Sequence, residues 1–123
     1  MAEEGQVIGV HNVEAFDDLL KKGTESGKLI VVDFTASWCP PCRFIAPIFA
    51  ELAKAHIGVI FLKVDVDEVK EVSEKFEVTA MPTFVFLKEG AEVKNSRIVG
   101  ADKVELGKRV LALSAPAAAT SAA

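Results

Sequence analysis

The sequence predicts an α/β domain in which a central five-stranded mixed sheet is flanked by four helices. Short apolar, β-branched runs alternate with amphipathic helical patterns, in the order β-α-β-α-β-α-β-β-α. A crossover between parallel strands places a helix over the sheet, so this alternation predicts helices on both faces. The Glu89-Gly90 turn between the last two runs predicts an antiparallel hairpin, which makes the sheet mixed.

The first half of the chain contains two predicted strands and one predicted helix. A short strand at residues 7–10 leads to Asn12, which is expected to N-cap a helix that ends at Gly23. Residues 24–28 are polar and are predicted to form an exposed loop. The nearly continuous apolar run at residues 29–35 is typical of a central strand covered on both faces.

A long helix is predicted next, because apolar residues recur at helical spacing as far as His56. Pro47 lies inside this helix and is expected to kink it. Residues 59–66 form the third predicted strand. Asp67 is then expected to N-cap a short helix that ends at Phe76.

The last predicted elements are a hairpin and a helix. Strands at residues 83–87 and 92–99 are expected to pair across the turn described above. Asp102 and Glu105 are expected to form a capping box at the start of the final helix. Residues 114–123 lack large apolar side chains that could offset the entropy of ordering, so we expect a disordered tail.

Size and charge limit the function classes. We expect residues 1–113 to form one domain of this 123-residue chain. The net charge is −4 and no basic run occurs, so neither nucleic acid nor an anionic membrane is an expected partner. The acidic, polar N-terminus differs from a secretory signal, and we expect a monomer in the cytoplasm.

Cys39 and Cys42 are the only cysteines, and their spacing predicts a redox pair. They lie about one helical turn apart, which is within disulfide reach. We expect Cys39 to be the N-cap, with Pro40 and Pro41 at the first two helical positions, where a missing N–H costs nothing. The Cys42 amide and the helix dipole would lower the pKa of Cys39, so Cys39 is the predicted nucleophile. Cys42, expected to be more buried, is the predicted resolving thiol.

Two other uses of the cysteine pair are disfavoured. A structural zinc site needs four ligands, and only His11 and His56 remain to complete it. His56 lies about 20 Å along the predicted helix from Cys42, so no metal is expected. An inert structural disulfide is uncommon in a reducing compartment.

Several motifs together resemble the thioredoxin family, and more closely its plant cytosolic h-type members. They span residues 7–113 and comprise Val32-Asp33-Phe34, Trp38-Cys39-x-Pro41-Cys42, Pro47, the stretch 63–67, Met81-Pro82-Thr83-Phe84 and Val99-Gly100. The resemblance implies a thioredoxin-like fold and a protein-disulfide reductase. It also implies Asp33 as a buried acid behind the cysteines and a cis peptide bond at Pro82. Pro40 departs from the glycine common in the family; it removes an amide donor and stiffens the turn.

Some residues near the cysteines admit two interpretations. Asp33 either faces water at the sheet edge or is buried with a raised pKa, where it could act as a general base. Lys63 either reaches Asp33 from the neighbouring strand or is a solvated lysine. Trp38 either shields the disulfide or packs in the core.

The client-binding candidates are Met81, Pro82, Gly100 and Ala101. A cis Met81-Pro82 bond would leave the Met81 backbone free to pair with an extended client. Gly100 either makes a strand-to-helix turn or leaves room for client backbone. Arg43 is interpreted as a surface charge.

The predicted function is reduction of disulfide-containing client proteins. No G-x-G-x-x-G occurs, so no cofactor is expected and a separate reductase must recharge the pair. The resemblance implies the NADPH-dependent flavoprotein thioredoxin reductase, with glutathione and glutaredoxin as a second route. The alternatives are a disulfide oxidase or isomerase, which belongs in oxidising compartments, and a binding or holdase module that does not need its thiols.

Overall fold

The computed structural model describes residues 5–114. The predicted tail therefore lies outside the described residues, apart from Ser114, which is the last residue of the final helix. Within residues 5–114, no helix is both long enough and apolar enough to cross a membrane.

The predicted mixed sheet with four helices is confirmed. The elements are β1 (Val7–Val10), α1 (Val13–Ser26), β2 (Ile30–Thr35), α2 (Pro40–Ala55), β3 (Ile60–Asp65), α3 (Lys70–Lys75), β4 (Thr83–Lys88), β5 (Ala91–Glu92), β6 (Ile98–Val99) and α4 (Lys103–Ser114). The described chain thus has six strands where five were predicted.

The sheet order places the longest strands at the centre. It runs β1-β3-β2-β4-β5, and β6 also pairs with β4. β1, β2 and β3 are parallel, whereas β4 is antiparallel to β2, β5 and β6. The carboxyl ends of β1, β2 and β3 therefore meet at one edge, where open α/β sheets usually carry their functional groups.

The predicted last strand is broken into β5 and β6. Between them Asn95 adopts a positive φ of 56°, and the Ser96 hydroxyl donates to the Val93 carbonyl at 2.6 Å. Arg97 and Glu92 form an ion pair across the base of this excursion. The positive φ and the local hydrogen bond are incompatible with a continuous extended strand.

The core has one layer on each face of the sheet. One layer joins the sheet to α2 and α4, through side chains that include Phe49 and Leu106. The other joins it to α1 and α3, through side chains that include Phe16 and Val72. Because both faces are covered, β2 is buried along its whole length, as predicted.

The end predicted for α1 is wrong. The helix continues through Gly23 and is ended by Gly27, which has a φ of 71° and donates its N–H to the Gly23 and Thr24 carbonyls. Gly23 serves packing: a Cβ there would lie 2.8 Å from Cγ1 of Ile30. The helix therefore extends into the predicted loop.

The caps expected for α3 and α4 need correction. Asp67 does not cap α3, which begins at Lys70 without a side-chain cap. Asp102 accepts a hydrogen bond from the Glu105 amide at 3.1 Å, which is half of the expected capping box. The other half is absent because the Glu105 carboxylate accepts from Arg109 instead.

Candidate active site

Cys39 and Cys42 form a disulfide at the start of α2, with their Cα atoms 5.3 Å apart. Cys39 is the N-cap, and Pro40 and Pro41 follow it. Since prolines lack an N–H, the first amide the helix presents belongs to Cys42, and it donates to Cys39 Sγ at 3.2 Å. The predicted N-cap is confirmed, and α2 continues through Pro47 to Ala55.

The expected difference in burial between the two cysteines is not found. Cys39 is 3% exposed and Cys42 is 4% exposed. Cys39 is covered because its sulfur lies 3.6 Å from the Met81 carbonyl oxygen and because Ala36 packs against the pair. In the oxidised protein, the hydrogen bond to Cys39 Sγ distinguishes the two sulfurs, and burial does not.

Asp33 is a buried acid in the middle of β2. It is 2% exposed, so the alternative that it faces water is wrong. Desolvation raises the pKa of Asp33 from 3.8 to about 7, against a smaller lowering by the positive charge of Lys63. Within the described residues, Asp33 Oδ1 has no hydrogen-bond partner.

Lys63 is the register neighbour of Asp33 on β3 and faces solvent. The structure supports an intermediate between the two interpretations of Lys63. Its charge acts on Asp33, yet among the described ion pairs none joins the two side chains.

Trp38 lies at the surface beside the disulfide and is not a core residue. Its side chain is 62% exposed, and its Nε1 donates to Asp67 Oδ2 at 2.9 Å. The sequence predicts Asp67 as a helix cap and does not indicate this contact with Trp38, which lies 29 residues earlier. Asp65 accepts from the Asp67 amide at 2.8 Å in the turn after β3, and the Asp67 carboxylate, which caps no helix, is the acceptor for Trp38.

The loop before β4 lies opposite the disulfide. The Met81-Pro82 peptide bond is cis, and the Pro82 carbonyl accepts from the Gly100 amide at 2.8 Å. Gly100 has a φ of 108°, and a Cβ there would meet nothing within 4 Å, so its backbone conformation explains the glycine. Ala101 is half-buried and packs against the core.

A groove of about 380 Å³ opens on the Cys42 side of the disulfide. Its lining includes Lys63 and Arg43, and its rim carries His11, whose Nδ1 lies 3.0 Å from Glu68 Oε1. Arg43 is exposed and donates to the Ser37 carbonyl at 3.0 Å, a local contact consistent with a surface charge. The groove reaches the buried Cys42 at its inner wall and the exposed Lys63 at the surface.

The described residues offer no evident metal centre. Within residues 5–114, no three His, Cys, Asp or Glu side chains are grouped so that they could hold a metal ion.

Comparisons with known proteins agree with this geometry. The family model described as Thioredoxin matches residues 7–111. The chain is 59% identical to Thioredoxin H-type 1 of Nicotiana tabacum, over 98% of this chain and 94% of that protein. It is 61% identical to Thioredoxin H3 of Arabidopsis thaliana, over 86% and 88%.

A solved structure gives the same result. The crystal structure of a thioredoxin h from Nicotiana alata superposes with a TM-score of 0.85 and 40% identity, covering 94% of this chain and 98% of that one. The matched region contains the disulfide, the strands that carry Asp33 and Lys63, and the loop with the cis bond. The chain therefore belongs to the thioredoxin family and is a thiol–disulfide oxidoreductase that reduces protein disulfides.

Proposed function

We propose that Cys39 is the attacking thiolate of the reduced protein and that Cys42 is its resolving thiol. The observation that carries this assignment is the hydrogen bond from the Cys42 amide to Cys39 Sγ at the start of α2. A thiolate at that position gains from the N–H and from the positive end of the helix dipole. Cys42 sits one turn inside the helix and lacks this advantage.

The exchange proceeds through a mixed disulfide. Cys39 Sγ attacks one sulfur of the client disulfide, and the other client sulfur leaves as a thiolate that takes up a proton. Cys42 Sγ then attacks Cys39 Sγ and expels the second client sulfur, which is also protonated. The client gains two electrons and two protons, and Cys39 and Cys42 are left as a disulfide.

Asp33 accepts the proton that Cys42 loses when it attacks. A carboxyl group with a pKa of about 7 can take up and return a proton near neutral pH. In the oxidised protein, Asp33 Oδ1 has no hydrogen-bond partner among the described residues, which leaves this oxygen available to take up the proton. Lys63 lowers the pKa of Asp33 against the larger rise caused by desolvation, and it acts through Asp33 as a positioning residue in this scheme.

The client lies across the loop that faces the disulfide. The Met81 backbone pairs with an extended client segment, beside Pro82 and Gly100. Ala101 and the exposed indole of Trp38 border the same surface.

A separate NADPH-dependent thioredoxin reductase recharges the disulfide, and glutathione with glutaredoxin is a second route. The absence of a G-x-G-x-x-G motif from the sequence supports an external electron donor. The protein works as a monomer in the cytosol.

The roles of the cysteines are tested by trapping. Reduced Cys42→Ser should accumulate a mixed disulfide between Cys39 and insulin, whereas Cys39→Ser should accumulate none, as seen by non-reducing electrophoresis and mass spectrometry. In the reduced wild-type protein, iodoacetamide should alkylate Cys39 before Cys42. Trapping through Cys42, or faster alkylation of Cys42, contradicts the assignment.

Recharging is tested in a coupled assay. Purified thioredoxin reductase and NADPH should sustain insulin reduction by the wild-type protein, with NADPH consumption followed at 340 nm. Cys39→Ser is the control and should support none. Failure of NADPH consumption, together with normal insulin reduction by the chemically reduced protein, would exclude this reductase as the donor.

A further inference from the structure

Phe44 is the phenylalanine that the fold leaves at the surface. All eight phenylalanines of the sequence lie within residues 5–114, and Phe44 is 56% exposed whereas the other seven are buried or half-buried. The core-facing side of α2 is formed by other residues, among them Cys42, Ile45 and Phe49. Phe44 therefore contributes little to the core.

Phe44 continues an apolar surface that starts at the disulfide. It follows Pro40 by four residues and Pro41 by three, so the three side chains are neighbours on the helix surface, about 5–6 Å apart between Cβ atoms. Both prolines are exposed. We call Pro40, Pro41 and Phe44 the α2 shelf. Arg43, the residue before Phe44, donates to the Ser37 carbonyl at 3.0 Å.

The α2 shelf begins next to the disulfide, because Pro40 and Pro41 lie between Cys39 and Cys42 in the chain. Trp38, which is 62% exposed, borders the disulfide at the turn before α2. Val99, also 62% exposed, pairs with Thr83 next to the cis bond. Exposed apolar groups thus surround the disulfide on three elements, and Phe44 supplies the largest one on α2.

We propose that Phe44 is a specificity-determining residue for protein clients and contacts an apolar side chain next to the attacked client disulfide. The shelf carries no charge, so its occupant is an apolar segment of an oxidised client protein. The proposal rests on the exchange mechanism above and adds the α2 shelf to the client surface. A small disulfide has no flanking apolar segment that could lie on the α2 shelf while its sulfur is attacked, so it gains nothing from Phe44.

The test compares a protein disulfide with a small one. Chemically reduced protein is mixed with insulin or with 5,5′-dithiobis(2-nitrobenzoate), and the rate constant of a single turnover is measured. Phe44→Ser should slow insulin reduction about fivefold and leave the small disulfide within about twofold. Phe44→Leu should recover most of the loss, because it restores apolar area.

Ile57→Ser is the matched control. Ile57 is 61% exposed and lies just beyond the other end of α2, about 20 Å along the helix axis from Phe44. This variant should reduce both substrates at the wild-type rate. Thermal unfolding of all variants, followed by circular dichroism, should show that each one is folded.

Several outcomes overturn the proposal. One is an unchanged rate of insulin reduction by Phe44→Ser. Another is a rate of Phe44→Ser that falls by the same factor with insulin and with the small disulfide. A third is a rate of insulin reduction that falls as much in Ile57→Ser as in Phe44→Ser. A raised KM in the reductase assay without a slower insulin turnover would make the reductase the occupant. Loss of a dimer in Phe44→Ser, seen by analytical ultracentrifugation, would make it a second copy of this chain. A wild-type protein inactive on both disulfides would overturn the exchange mechanism itself.

Discussion

Lys63 lies beside Asp33 in the register of β2 and β3, yet Asp33 Oδ1 has no hydrogen-bond partner within residues 5–114. Burial raises the pKa of Asp33 to about 7, and Lys63 opposes this rise from the surface. The pKa of the carboxyl group therefore lies near 7 because of two opposing effects, desolvation and a nearby positive charge, and not because of a direct ion pair. Substitution can remove the carboxyl group and the Lys63 charge separately.

Removing the Asp33 carboxyl should change how stability depends on pH. The pKa of Asp33 is higher in the folded protein than in the unfolded chain, so the folded state binds more protons between about pH 4 and pH 7. The stability contributed by this group is present below pH 4 and is lost as the pH rises through 7. Asp33→Asn abolishes this loss.

We expect the free energy of unfolding of Asp33→Asn, relative to wild type, to rise by about 3 kcal/mol from pH 4.5 to 8.5. Urea unfolding of the oxidised proteins measures it. Asp17→Asn, which removes an exposed carboxylate from α1, is the control, and its free energy of unfolding should depend on pH in the same way as that of the wild-type protein. Parallel curves for Asp33→Asn as well would mean that the pKa of Asp33 is not raised by folding.

Asp33→Asn should also reduce client disulfides more slowly than the wild-type protein, and the dependence of its rate on pH should be altered.

Removing the Lys63 charge should move the pH profile of client reduction. Since that charge lowers the pKa of Asp33, Lys63→Met should raise the pKa of Asp33 above about 7. The midpoint of the insulin reduction rate should move to higher pH by about 0.5 unit, and the difference should shrink in 0.5 M salt. Lys88→Met, an exposed lysine at the end of β4, should leave the midpoint in place. A shift to lower pH would contradict the sign of the Lys63 effect.

The hydrogen bond from Trp38 to Asp67 should hold the indole in place beside the disulfide. Asp67→Ala removes the acceptor at 2.9 Å, so the ring should become more mobile. Trp38 is the only tryptophan, and its fluorescence anisotropy should fall while acrylamide quenching rises. Insulin reduction should slow about threefold, with a change in unfolding free energy below about 0.5 kcal/mol, since the contact is exposed.

Glu71→Ala is the control for that variant, because it removes an exposed carboxylate from the first turn of α3. Its anisotropy and insulin rate should equal those of wild type. Unchanged anisotropy in Asp67→Ala would show that the ring is held by other contacts.

Two predicted features that depend on local chemistry are confirmed by the structure. Cys39 could be recognised as an N-cap because two prolines follow it, and Asn12 caps α1 for an equally local reason. Two of the errors involve partners that are distant in sequence. Asp67 looks like a helix cap until Trp38, 29 residues earlier, is brought to it by the fold. The glycine that seemed to end α1 is inside the helix because Ile30 of the next strand packs against it.

Two helical glycines should respond oppositely to alanine. Gly107 lies inside α4, where a Cβ would meet nothing within 4 Å, so Gly107→Ala should raise the free energy of unfolding by about 0.5–1 kcal/mol. At Gly23, a Cβ would press against the Ile30 side chain, which is 2% exposed and cannot move aside into solvent. The cost of overpacking, about 1–3 kcal/mol, exceeds the gain in helix propensity.

Gly23→Ala should therefore lower the free energy of unfolding by about 1 kcal/mol in urea titrations at pH 7. When Ile30 is replaced by valine, Gly23→Ala should cost less unfolding free energy than it does in the wild-type protein. Valine lacks the Cδ1 methyl group that lies nearest to the new Cβ. Equal stabilisation by alanine at both glycines would show that Gly23 is not needed for the packing of α1 on β2. It would then be only a weak helix former, as Gly107 is.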